Sequence, residues 1–347
     1  MKAARAILPF TDGMDAKDSL FLLGLSHVEF LKPHEKLLLI EMMGGAQRVF
    51  QLSLAQLGQV LGRRVSSKLW RTEELLRAAE RTQKSLTDSG TRSIFYWDAT
   101  YPPQLREIYD PPVTLFLRGS LPDPEVPLAG IVGTRYPTGG AHAAAFRFGF
   151  ELGRSGVGVV SGLARGIDKD AHEGCVEAGG VSIAVLGNGI DELYPQSSRS
   201  VGMTLLDRGG AILSEYPPGV PPLHYHFPAR NRIISGLSRA VVIVQAPEKS
   251  GALITADYAL EQGRDIWVHT EGLTGTCSAG TRRLAESGAP VAACAADLLR
   301  DWGYRAVATP SSSDPGALST GARMARMLDC EIDGTCALKG GETYWRR

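Results

Sequence analysis

Five short segments set glycine, arginine and small polar residues directly after apolar runs. They are GTRYPTGGAH (133–142), SGLARGID (161–168), GNGIDELYP (187–195), SEYPPGVPPLHYHFPARNR (214–232) and APEKSGALITA (246–256). Small residues let backbone approach a ligand closely, and free N–H groups at a helix start favour an anion. Arg135, Arg165, Arg230 and Arg232 add planar cations suited to phosphate oxygens. Together the segments predict a pocket for a phosphate-bearing ligand.

The standard nucleotide and catalytic motifs do not fit. GxxxxGK[ST] is missing, and the nearest glycine pair to a dinucleotide fingerprint, Gly156 and Gly158, precedes and enters its strand without the third glycine. Ser161 and Ser214 follow strands but lie outside GxSxG. His142, His172, His224, His226 and His269 have the chemistry of bases. His172, four residues after Asp168, can equally cap or pack within its own helix. The spacing of His224 and His226 suits a metal, but no carboxylate or cysteine partner stands nearby. Asp168 at a helix start either caps free N–H groups or orients Arg165. No catalytic residue, cofactor or metal is assigned.

The elements that position these loops follow from periodicity. The chain has 347 residues, 44% hydrophobic and 21% charged, an ordinary globular composition with room for one large α/β unit and a smaller one. Residues 1–92 contain four helix-period stretches, DSLFLLGLSHVEFL, HEKLLLIEMM, SLAQLGQVLG and SKLWRTEELLRAAERTQ, and predict a small helical domain. Residues 93–303 open with IFYWDATYPPQLREIYDPPVTLFLRGS, where TLFLRG reads as a strand. Short apolar strands (LAGIVGTR, GVGVVSGL, VSIAVLGNG, AILSEY, AVVIVQAP, DIWVHTEG) then alternate with helix-period segments, with NRIISGLS a possible helix after a long loop. That alternation predicts a mostly parallel sheet with helices on both faces, and ligands in such sheets sit beyond the carboxyl ends of the strands. Residues 304–347 begin with the linker-like ATPSSSDPGALSTG; ARMARMLDCEI could form one short helix.

Lys+Arg and Asp+Glu both number 37, which argues against a general polyanion coat but allows a local basic groove. The five scattered cysteines contain no CxxC pair, so neither a disulfide framework nor a zinc site is indicated. The start lacks the apolar core of a signal peptide and no run reaches membrane-span length, so the expected location is cytoplasmic.

The ordered set GTR (133–135), SGLARGIDKDAH (161–172), AVLGNGIDELYP (184–195), LSEYPPG (213–219), FPARNRIISGLS (227–238) and SGALITADYALEQGR (250–264), with the lead-in YPPQLREIYDPPVTLFLRG, resembles the DprA/Smf DNA-processing family over residues 95–299. The resemblance implies an extended Rossmann-like fold, single-stranded DNA as ligand, a homodimer, RecA loading during natural transformation or recombination, displacement of single-strand binding protein, and no established reaction. It also implies that residues 1–92 form the family's small helical (SAM-like or helix-hairpin-helix-like) domain. The tail is too short and Ser/Pro-rich for the full winged helix that ends many members. Three stretches depart from the family: Val268-His269-Thr270-Glu271-Gly272 replaces a V-P-G turn, GTRRL places Arg282 at a usual Asn, and QSSRS after Tyr194-Pro195 leaves Arg199 near a family lysine.

On this reading Arg135 and Arg165 hold a DNA phosphate, and N–H groups of Gly133, Ser161, Gly162 and Gly166 complete the cradle. Arg230, Asn231 and Arg232 extend the path from a neighbouring loop, or pair internally with the Glu215 loop. Arg199 adds a contact. Tyr194, Tyr225 and Phe227 are stacking faces or core. The alternative is a nucleotide-binding or nucleoside-monophosphate-hydrolysing enzyme of a related Rossmann-like fold. Such enzymes carry PGGxGTxxE where this chain has SGALITA, with Thr255 and Ala256 where the Glu would fall.

Overall fold

The computed structural model describes residues 16–275, 277–304, 336–339 and 342–345. The chain begins with helices α1 (Ala16–Ser26), α2 (Pro33–Met43), α3 (Ala46–Val49), α4 (Leu54–Leu61) and α5 (Thr72–Ser89). Local signals set their ends. Ser53 and Gln56 form a reciprocal capping box at α4, and α2, α4 and α5 stop at Gly44, Gly62 and Gly90, each at positive φ.

The first strands are β1 (Arg92–Phe95) and β2 (Thr114–Gly119), joined through the short α6 (Pro103–Arg106). The alternating part runs β3 (Leu128–Val132), α7 (Gly139–Arg154), β4 (Gly158–Ser161), α8 (Ile167–Glu177), β5 (Ser182–Leu186), α9 (Arg199–Asp207), β6 (Ala211–Ser214), α10 (His226–Leu237), β7 (Ala240–Ile243), α11 (Gly251–Glu261), β8 (Asp265–His269), α12 (Ala279–Glu286), β9 (Val291–Ala292) and α13 (Ala295–Asp301). The strand order is β1-β2-β6-β5-β4-β3-β7-β8-β9, parallel throughout except at the β1–β2–β6 edge. This is the expected Rossmann-like sheet, with β1 as an edge strand the sequence pattern had not marked.

Period-two alternation divides the core. Ala129, Ile131, Val159, Ala240 and Val242 face α7, α8 and α13 in one cluster. Val132, Val160, Val241 and Ile243 face α10 and α11 in a second cluster, which continues into the N-terminal helices. The order in which strands are added to the sheet reverses at β3. Its parallel neighbours are β4, reached through α7, and β7, much later in sequence. The crevice beyond the ends of β3 and β7 is therefore a topological switch point, where open α/β sheets bind ligands.

Two expectations need correction or fall outside view. FPARNR is not a loop: α10 starts at His226 and includes it. Pro228 is tolerated because first-turn N–H groups have no intrahelical partner. In the 304–347 tail, only Tyr304 and the antiparallel β10 (Cys336–Lys339) and β11 (Glu342–Trp345) are described; the possible ARMARMLDCEI helix lies outside the described residues.

Helices α7 and α8 pack backbone to backbone. A Cβ on Gly149 would strike the Ala171 carbonyl, and one on Gly174 the Phe146 carbonyl. Gly174→Ala should therefore cost about 1–3 kcal/mol, read as a lower urea midpoint with unchanged m-value. On the outer surface of the same pair, His142 Nδ1 meets Asp170 at 2.6 Å. The hydrogen bond to Asp170 raises the His142 pKa above its ordinary value. Its stabilising increment is thus full below the unfolded value of about 6.5 and is lost as pH rises through the raised folded value. Proton NMR titration of His142 should give a pKa above 6.5 that falls in Asp170→Asn.

Candidate nucleic-acid interface

The strand-end loops converge on two adjoining clefts. The larger, ≈ 380 Å³, lies at the switch point and is lined by Arg135, Tyr136, Arg230, Lys249, Ser250 and Thr255 among others. The smaller, ≈ 180 Å³, lies between the β3, β4 and β5 loops and is lined by Arg135, Gly162, Arg165, Tyr194, Phe227 and Arg230. Arg135, Tyr136, Phe227 and Arg230 belong to both.

The loop after β4 turns its apolar residue in and its cation out. Leu163 is fully buried at φ 58°, a left-handed conformation that costs a β- or γ-branched residue roughly 1–2 kcal/mol. Asp168 braces this turn by accepting the Gly162 N–H at 3.1 Å. Burial raises the Asp168 carboxyl, while Arg230 and the turn's N–H groups work against that shift. The alternative of Asp168 orienting Arg165 is not what forms: the exposed Arg165 donates Nε to Ser197 Oγ at 3.1 Å.

Arg230 rises from α10 beneath the turn and is 4% exposed. Its Nη1 donates to the carbonyls of Gly162, at 2.9 Å, and Val185, and its Nε to Asn231 Oδ1 at 3.2 Å. Among the described residues it forms no ion pair, and its Nη2 makes no hydrogen bond. Burial lowers its pKa to about 10, opposed by the Asp168 charge, so it stays cationic at neutral pH. The guanidinium also dictates Gly162, since a Cβ there would lie 2.5 Å from Nη2. Asn231 links this group to α11 by donating to the Gly251 carbonyl at 3.1 Å.

An aromatic wall faces these cations. Arg135 Cζ lies 5.7 Å from the Phe227 ring centroid, and the Tyr194 and Phe227 rings are 5.7 Å apart at 35°. Phe227 rests its other side on Gly187, where a Cβ would meet Cδ1 at 2.8 Å, so it is both a packed residue and a cleft wall. Such an arrangement can pair phosphates with the cations while bases lie on the rings.

Other candidates lie elsewhere, and several need correction. Arg232 points away from both clefts, with Nη2 2.8 Å from Glu215 and Nε 3.6 Å from Asp110. Burial opposes its charge, but Glu215 and Asp110 outweigh burial and raise its pKa. This is the internal pairing with the Glu215 loop, so Arg232 does not extend the path. Ser161 is fully buried at the end of β4, which keeps its N–H out of a cradle, and its hydroxyl donates to the Ile131 carbonyl at 2.6 Å. The Gly162 N–H is occupied by Asp168. Gly166 serves packing, because a Cβ would lie 2.6 Å from the Thr134 carbonyl. Gly133 lines the larger cleft. Arg199 is exposed at the start of α9 and lines neither cleft. Tyr225, 50% exposed, packs 4.6 Å from His226 beside the N-terminal helices, not on the aromatic wall.

The histidines follow the packing alternatives. His172 is buried with Nδ1 2.7 Å from Ser182 Oγ, and burial lowers its pKa to about 3. His224 lines the switch-point cleft, whereas His226 is buried and stacks at 3.9 Å on Tyr216 in a different pocket, so the pair does not converge. Among the described residues no cluster of three His, Cys, Asp or Glu could hold a metal, and no helix is long and apolar enough to cross a membrane.

Sequence reasoning missed Tyr136 and Lys249. Tyr136 is 77% exposed beside Arg135, and Lys249 sits on the far rim. Their signal was adjacency: GTRYP and PEKSG carry them in loops already marked. The buried Arg232 pairs yield a stability test. Arg232→Ala leaves Glu215 and Asp110 with only the nearby Lys36 and, for Asp110, His34, and should cost about 3 kcal/mol, measured by urea unfolding.

With this geometry in hand, the chain was compared with known proteins. The family model "DNA recombination-mediator protein A" matches residues 92–303. Protein Smf of Synechocystis sp. is 49% identical over 174 residues, 49% of this chain and 44% of that protein, so the match spans less than half of that relative. The crystal structure of DNA processing protein A from Streptococcus pneumoniae superposes with a TM-score of 0.66 at 30% identity, covering 84% of this chain and 99% of that one. DNA processing protein A from Helicobacter pylori, whose structure was described for its single-stranded DNA binding mode, gives 0.55 at 27% identity and covers 62% of this chain and 97% of that one. The switch-point clefts and the ordered strand-end motifs thus sit on the part of the chain that the model matches, and the chain belongs to the DNA recombination-mediator protein A (DprA/Smf) family.

Proposed function

We propose that this protein binds single-stranded DNA in the paired clefts and, as a homodimer, loads RecA onto the strand during transformation or recombination, in competition with single-strand binding protein. The observation that carries the reading is Arg135 over Phe227, with Tyr194 alongside and Arg165 and Arg230 on the same cleft. Cations facing rings suit a backbone with unpaired bases and have no use for a duplex, whose bases are stacked inward. The Helicobacter pylori relative's described binding mode adds family support. RecA, the single-strand binding protein and the homodimer come from the family resemblance.

We read the cleft as a binding site without a reaction. On α11, where hydrolases of related fold place a glutamate, this chain carries Thr255 and Ala256, neither of which can serve as an acid or base at neutral pH. Asp168, the carboxylate lining the larger cleft, is committed to the Gly162 N–H.

Fluorescence anisotropy with labelled (dT)20, an unlabelled duplex competitor and a salt series tests the proposal. Wild type should bind the single strand, resist duplex competition and weaken steeply with salt. Arg135→Ala and Arg165→Ala should each weaken binding roughly tenfold or more, and loss of one phosphate contact should lower the log–log salt slope by about 0.7. No binding by folded protein at low salt would overturn the reading.

A further inference from the structure

The switch-point cleft contains a donor set that the Arg135–Arg165 path leaves unused. Helix α11 begins there: Ser250 caps it by accepting the Ala252 N–H at 3.2 Å, and the Gly251 N–H, first in the helix, has no intrahelical acceptor. A Cβ on Gly251 would meet nothing within 4 Å, so the helix start opens onto free space. Lys249 stands on the rim and Arg230 lies across the cleft. One turn into α11, Thr255 also lines the cleft. It is 1% exposed, and its hydroxyl makes no hydrogen bond among the described residues.

A hydroxyl and a guanidinium nitrogen that belong to side chains this buried and have no protein hydrogen-bond partner are free to bind a ligand that enters the cleft. Thr255 and Arg230 line one cavity, beside the positive end of an 11-residue helix, and Asp168, whose charge acts on Arg230, lines it too. Apart from Asp168, which is committed to the Gly162 N–H, the groups named donate hydrogen bonds. The complementary ligand is a compact anion rich in acceptor oxygens.

We infer that the start of α11 is a second phosphoryl site, in which Lys249, the Gly251 N–H, the Thr255 hydroxyl and Arg230 hold the phosphate of a nucleotide in the switch-point cleft. The phosphate belongs either to the bound strand, in which case the inference rests on the single-stranded DNA reading, or to a free nucleotide. Arg230 borders both clefts and links this site to the first.

The test uses the full chain and two substitutions. Thr255→Val keeps the shape and removes the hydroxyl; Lys249→Ala changes an exposed side chain and leaves packing intact. Calorimetry with dTMP, with thymidine as the control lacking phosphate, reads the free-nucleotide source, and (dT)20 anisotropy across a salt series reads the strand source. Binding of dTMP but not thymidine, weakened at least fivefold by each substitution, supports the site with a free nucleotide. A fivefold loss of (dT)20 affinity in both variants, with a lower salt slope in Lys249→Ala, supports it with the strand. If (dT)20 fails to bind wild type while dTMP binds and responds to both substitutions, the strand reading fails and this site stands. If both variants bind both probes as wild type does, or if wild type binds neither probe, the site is overturned. Thermal melts of both variants confirm that any loss is not unfolding.

Discussion

The buried guanidinium of Arg230 is the constraint around which the strand-end loops are arranged. A cation that deep needs its hydrogens satisfied, and the carbonyls of Gly162 and Val185 do part of this work. In doing so they tie the loop after β4 and strand β5 itself to helix α10. The same group excludes any side chain at Gly162, and that turn in turn depends on Asp168 and on the left-handed Leu163. With carbonyls as hydrogen-bond partners and the Asp168 charge nearby, Arg230 keeps Nη2 unpartnered beside both clefts. Its neighbour two residues on behaves oppositely: Arg232 is neutralised by Glu215 and Asp110 and contributes to the packing of the N-terminal helices.

That contrast organises the whole surface. Arginines that leave the loops outward, Arg135 and Arg165, line the clefts, while those rising from α10 are buried and divide between an open face and a closed one. The aromatic residues divide similarly. Phe227 is wedged on Gly187 and turns toward Arg135, whereas Tyr225, two residues earlier, turns toward His226. The start of one helix thus supplies both the ligand wall and a contact beside the N-terminal helices.

Much of this was legible in the chain. Apolar runs of four or five residues alternating with amphipathic segments require a covered parallel sheet, and that sheet concentrates its ligands at the strand ends, so the segments holding Arg135, Arg165 and Arg230 could be singled out from pattern alone, although the last proved to be helix. FPARNR could not be placed as helix, because Pro228 and the preceding proline-rich stretch mimic a loop and first-turn tolerance is invisible without the turn itself. Lys249 and Tyr136 stayed unremarked because their loops offered stronger cations.

What the sequence determined by itself is the order of elements, the strand ends that bear chemistry, and the family motifs; these depend on local periodicity and short-range spacing, which one chain displays completely. Only the tertiary structure decided which donors are free. Arg230 and Arg232 are the same residue type two positions apart, yet one faces Glu215, brought from 17 residues away, and Asp110, from 122, while the other meets carbonyls. Ser161 ends a strand and Thr255 lies in a helix, both small hydroxyl residues near strand ends, yet one bonds a neighbouring strand and the other lines a cavity without a protein partner. Whether a polar group is spent inside the fold or left for a ligand depends on partners distant in sequence, and those are assigned only when the sheet closes and the helices pack upon it.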